Sequence, residues 1–213
     1  MKAATPADKR FTFSRSQALA FAALAAAAFA LAFASVLTSG PVSHHMLAHI
    51  ALMNFLGPSL AFFTISTVTN KTRTQAPMIW PATLAQLFLF LFWHAPPGVA
   101  DAAFAIAVMH ASLAIAALWF WFEIMRWRKE RPWTAVAALA VTGKIICLIA
   151  ALYVFAPRAL YGGALETALA DQQLAGLFML AACPLTYLGA AFLITVAAFD
   201  RQSARPVASG DAA

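Results

Sequence analysis

What most constrains the fold of this chain is a series of long apolar runs that carry no charge. The stretch SHHMLAHIALMNFLGPSLAFF, residues 43–63, contains no Asp, Glu, Lys or Arg. Comparable runs recur along almost the whole length. A helix rises ~1.5 Å per residue, so about twenty residues cross the ~30 Å hydrocarbon core of a bilayer. Only 10% of the 213 residues are charged and 63% are hydrophobic, whereas a soluble domain carries about 25% charged residues. Inside a bilayer every backbone polar group must be satisfied within the protein, which leaves helices or closed barrels. Barrel strands are short and alternate in polarity, while these runs are long and rich in Ala, Leu and Phe. The expectation is an all-α, polytopic transmembrane helical bundle of one domain, residues 16–198. It follows a short segment, 1–15, and precedes a polar tail, 199–213, expected to be disordered.

Six spans are predicted, at about 16–38, 44–68, 76–95, 99–125, 133–156 and 172–198. The connections are short, as between antiparallel neighbours, and only 157–171 is long enough for a true loop. Pro58, Pro81 and Pro184 are expected to bend their helices, and Gly176 to let two helices pack closely. The Ala-rich run before Ser35 also has features of a cleaved signal peptide, but its length favours a retained helix.

The basic residues orient the bundle. Lys2, Lys9, Arg10 and Arg15 precede the first span, and Lys71 and Arg73 lie between the second and third. Arg126, Arg128, Lys129 and Arg131 lie between the fourth and fifth, and Arg201 and Arg205 follow the sixth. All of them fall on one side, and loops rich in Lys and Arg stay in the cytoplasm. Both termini are therefore expected inside. This placement accounts for the net charge of +6 without nucleic acid. Trp80, Trp119, Trp121, Trp127 and Trp133 lie toward the inner ends and Trp93 at an outer end, positions expected at the interfaces. Lys144 falls in the middle of the fifth span, where an ammonium is expected to face the bundle and find a partner.

With this orientation, all five histidines fall in the outer half. His44, His45 and His49 open the second span, His94 closes the third, and His110 lies in the fourth. Asp101 stands at the outer start of the fourth span, and Asp171 with Gln172 at the outer start of the sixth. A single histidine at a helix end is ordinarily an interfacial or hydrogen-bonding residue, and His44 reads that way. Four in the same half of neighbouring helices argue for a shared site, because polar groups in lipid are costly and mark function. His45 and His49 are four apart and share a helix face, so they present two nitrogens to one ion. Met46 and Met53 flank His49, and imidazole with thioether suits copper, particularly Cu(I). The metal candidates are His45, His49, His94, His110, Asp101 and Asp171.

Cys147 and Cys183 lie inside apolar runs and read as small core residues; they form neither a metal-type pair nor a disulfide framework. No phosphate-binding loop, nucleophile elbow, zinc-protease motif or covalent haem motif is present, so a binding protein is expected rather than an enzyme. Two other readings remain open. A b-type haem protein would also use paired histidines on facing helices, and a metal-free interaction subunit would use them as hydrogen-bond groups.

The segments HHMLAHIALMNFLGPSL, LFWHAPPGVADAAFAIAVMH and ADQQLAGLFML stand in that order. They resemble, respectively, the His-Met-x-x-His helix, the Trp-His-x-Pro segment with its following Asp and His, and the Asp-Gln-Gln-x-x-Gly stretch of the CtaG family of cytochrome c oxidase assembly factors. The resemblance covers residues 44 to about 198. It implies a multi-pass protein of the bacterial inner (plasma) membrane that assists biogenesis of the respiratory chain by assembling a haem–copper oxidase, at a copper-insertion step. Its partners would be cytochrome c oxidase subunits and a periplasmic copper donor. The family's motif positions fall on His45, His49, His94, Asp101, His110, Asp171 and Gln172. Leu113 and Ala114 stand where the family often carries Glu-His, and Met179-Leu180 where it usually carries Met-Trp.

Overall fold

A computed structural model describes residues 40–67, 76–95, 103–160 and 165–203. The first predicted span, the loop basic residues Lys71 and Arg73, and Asp101 lie outside them. The described residues form five helices and no strand. Helix α1 covers residues 41–67, α2 is Ile79–His94, α3 is Ala103–Trp127, α4 is Pro132–Phe155, and α5 covers 165–203. Four are long and apolar enough to cross a membrane, and α2 is a shorter apolar helix. The chain is thus a helical membrane protein. Its outer surface fits this: Phe104 is 81% exposed, Phe155 80% and Leu185 78%, an apolar coat of the kind that lipid, not water, accommodates.

The first half of α1 packs on the first half of α5, and its second half packs on α3. Helix α2 lies against α3 and α4, and α4 runs along most of α5. At Gly176 a β-carbon would come within 2.8 Å of the Ala150 carbonyl oxygen. Only glycine there permits the close approach of α4 and α5 that the small-residue pattern predicts.

Two of the three prolines disturb their helices as expected. Residues Ala51–Leu56 and Pro184–Leu188 are π-helical, interrupting α1 and α5. The amide of Gly57 bonds to Leu52 O, five residues back. The next donor in that register would be the nitrogen of Pro58, which has no hydrogen. The carbonyl it would have served, Met53 O, instead accepts the indole N–H of Trp121 at 2.9 Å. A neighbouring helix thereby satisfies the group that proline leaves free. Pro81 makes no such bend: it lies in the first turn of α2, where an amide has no intrahelical partner to lose.

Several expectations need correction. Residues 157–171 are not all loop; α5 begins at Leu165, so Asp171 and Gln172 lie well inside a helix. The same helix runs on through Ser203, so the first residues assigned to the tail are ordered. Trp121 is not an interfacial anchor, being 1% exposed, because its indole is recruited to Met53. Lys144 does not face the bundle but is exposed on α4.

Candidate metal centre

The site is built on the first turns of α1, the end of α2 and the first half of α3. His45 and His49 lie one helical turn apart, with ring centroids 4.2 Å from each other. His110 on α3 faces both, at centroid distances of 5.5 Å from His45 and 5.1 Å from His49. One nitrogen from each of these three rings lies within 4.8 Å of the others. His94, the last residue of α2, closes on His49 from the other side, with centroids 5.1 Å apart. His49 is thus the hub, buried among three other imidazoles.

Local hydrogen bonds set the ring tautomers. His94 Nδ1 lies 2.7 Å from Phe90 O, and a carbonyl only accepts, so Nδ1 carries the hydrogen and Nε2 the lone pair of the neutral ring. That Nε2 lies 3.3 Å from His49 Nδ1, which therefore donates. His49 Nε2 is left with a lone pair. It is buried and has no hydrogen-bond partner among the described residues. By the same reasoning His110 Nδ1, 2.8 Å from Ile106 O, donates, and its Nε2 keeps a lone pair. A backbone carbonyl that fixes one ring nitrogen and so presents the other is the usual support of a metal-ligating histidine. An orphaned buried acceptor costs about 1–3 kcal/mol, a cost that a bound cation removes.

The scaffold holds these registers. Trp93 Nε1 donates to Ser112 Oγ at 3.0 Å, and Ser112 Oγ donates to Met109 O at 2.9 Å, which ties the end of α2 to α3 beside the cluster. Below His49 lies a small cavity of about 10 Å³, space for a single water-sized sphere. Met46, Met53, Met179 and Cys183 line it with His49 and Asn54. The Asn54 amide approaches Cys183 Sγ at 3.6 Å. Soft sulfur and borderline imidazole donors therefore adjoin one another, a set suited to Cu(I).

Of the residues singled out from sequence, the structure brings His45, His49, His94 and His110 together. His44 is exposed and outside the group. Asp171 is not at the histidines. Its Oδ2 accepts from Val42 N–H at 2.8 Å and its Oδ1 from Ser43 N–H at 3.1 Å and from the Ser43 hydroxyl. It caps the N-terminus of α1 from a neighbouring helix, neutralising orphan amides and the positive end of the dipole. A β-carbon on Gly40 would overlap this carboxylate, so that glycine makes room for the cap. Gln172 is also structural: its Oε1 accepts from Leu160 N–H at 2.7 Å and its Nε2 donates to Tyr153 O at 3.2 Å. Sequence reading missed Met179 and the contribution of Cys183. Their i,i+4 spacing on α5 was the only available signal, and an apolar run gives it no contrast.

Comparisons of the chain with protein-family models, with curated proteins and with solved structures find no match.

Proposed function

We propose that the protein is an assembly factor for a haem–copper cytochrome c oxidase, which takes up copper at the imidazole cluster and releases it to an oxidase subunit. One observation carries this reading: three histidines from two helices offer nitrogens within 4.8 Å of one another. The preset tautomers of His49 and His110 and the adjoining sulfur-lined cavity support it. So does the resemblance of the three motif segments to the CtaG family. In this reading copper is cargo. His45, His49 and His110 hold it, with His94 fixing the ring of His49. Ligand exchange passes it on, and no catalytic turnover is involved.

The bundle is proposed to have six spans in the bacterial inner membrane with both termini in the cytoplasm, on the one-sided distribution of Lys and Arg. The cluster then faces the periplasm, where a copper donor has access to it. Asp101, next to α3 in sequence, remains a candidate for a further ligand. A b-type haem fits less well. Three imidazoles crowd one point, and the adjacent cavity of about 10 Å³ offers no slot for a macrocycle.

The deciding measurement is the metal content of detergent-purified protein after Cu(I) loading, for the native chain and a His45→Ala/His49→Ala variant. About one copper per chain, lost in the variant, is expected. No copper in either would overturn the proposal and favour a metal-free interaction subunit. A Soret band on the same sample would favour haem.

A further inference from the structure

Helix α4 is Pro132–Phe155, 24 residues, and Lys144 lies at its centre, about 17 Å from either end at ~1.5 Å per residue. Its neighbours along the helix, Val141, Leu148, Leu152 and Phe155, are exposed on the same stripe as Lys144. The face is otherwise apolar. In a bilayer this places an ammonium on the lipid side at mid-depth, on a four-carbon stem too short to reach either water layer. Intramembrane cations pair or line a pathway, and no ion pair or hydrogen bond of Lys144 occurs among the described residues. No predicted span of the chain offers an acid at its depth. Within the predicted spans the acids are Asp101 and Glu123, each near a span end, with Asp171 just before the sixth span, and the middle of every span, including 16–38, lacks Asp and Glu. A second copy of this chain is excluded on the same ground.

We propose that the exposed face of α4 around Lys144 docks a transmembrane helix of another protein, and that this helix carries an Asp or Glu at mid-membrane depth. The apolar stripe supplies van der Waals packing, which drives helix association in lipid only weakly without close fit or polar contacts. The Lys–carboxylate pair supplies selectivity, because each charge is costly in lipid until the other is present. This inference stands on α4 alone and does not rest on copper binding.

The test places a photoreactive amino acid at Leu148, one turn from Lys144, in the full-length protein in its native membranes. Lys144 is retained, or replaced by Lys144→Arg or Lys144→Met. The expected product is a crosslink to one membrane protein, at a peptide within a transmembrane segment that contains Asp or Glu. Its yield should be kept by Lys144→Arg and fall at least tenfold with Lys144→Met at equal membrane abundance. Neutralising the partner's acid should abolish it equally. Equal yield from Lys144→Met, a crosslinked segment with no acid, or adducts only to lipid or to a second copy of the chain would each overturn the proposal.

Discussion

The two ends of the bundle both bury polar side chains, but they use them differently. At the end away from the histidines, Glu123 is 4% exposed and well occupied. It accepts from Met78 N–H at 2.9 Å and from Trp127 Nε1 at 3.0 Å, and lies 3.7 Å from Arg126. It thereby caps the N-terminus of α2. At the histidine end, His49 is 3% exposed, and one of its two ring nitrogens has no hydrogen-bond partner among the described residues. Asp171 belongs with Glu123 in kind, although it lies near the histidine end: its carboxylate is committed to the amides of α1. Burial of a polar group therefore does not by itself mark a site. Nor does one missing partner alone, since Ser59 Oγ and Gln86 Oε1 also lack one among the described residues; an orphaned nitrogen at which further ring nitrogens converge does, because a bound ion relieves its desolvation cost.

This contrast can be broken by substitution. The largest loss of stability is expected for Glu123→Ala, about 3 kcal/mol, since it strips the Met78 amide and the Trp127 indole of their acceptor in a buried position and removes the ion pair with Arg126. Thermal unfolding in detergent would show it, with copper stoichiometry of the surviving fold unchanged. Next is His49→Leu, which should weaken metal binding about a hundredfold, or about 2.7 kcal/mol. It should leave stability within about 1 kcal/mol, because the orphaned acceptor that disappears with the ring offsets the lost bond to His94 Nε2. A large destabilisation with unchanged affinity would reverse the roles assigned to the two ends.

Asp171→Ala sharpens the comparison most directly. Loss of the cap should cost about 1–2 kcal/mol while copper is still bound. If affinity collapses and stability does not, Asp171 is a ligand in the loaded protein and the cap a resting state. The smallest effect, about 1 kcal/mol, is expected for Trp121→Phe, which keeps the bulk and leaves Met53 O unpaired beside Pro58. A larger loss would mean that the π-helical turn depends on this one bond.

The helices were readable because the signal is local. A charge-free run of about twenty residues has few folded options in lipid, and α1 to α4 begin and end within a few residues of the predicted spans. The ends of α5 were misjudged because Leu165, Ala168 and Leu169 are interleaved with Glu166, Thr167 and Asp171, which lowers the apolar signal without opposing a helix. The convergence of His45, His49, His94 and His110 could be anticipated from their shared depth, since antiparallel neighbours pack together. Asp171 was not separable from a metal ligand by sequence, because a carboxylate suits a cation and a helix N-terminus equally well, and the structure places it at the N-terminus of α1.

The sequence by itself determined the helical membrane architecture and the one end at which the imidazoles lie, because hydropathy and depth along a span are properties of the chain. Only the tertiary structure decided which side of each helix meets its neighbours. In a soluble helix the polar face marks the outside, but here lipid and core are both apolar, so the rotation of α4 left no trace in its sequence. That rotation turns Lys144 outward, as the packing of α1 on α5 brings Asp171 to an amide cap and the packing of α1, α2 and α3 gathers four rings around His49.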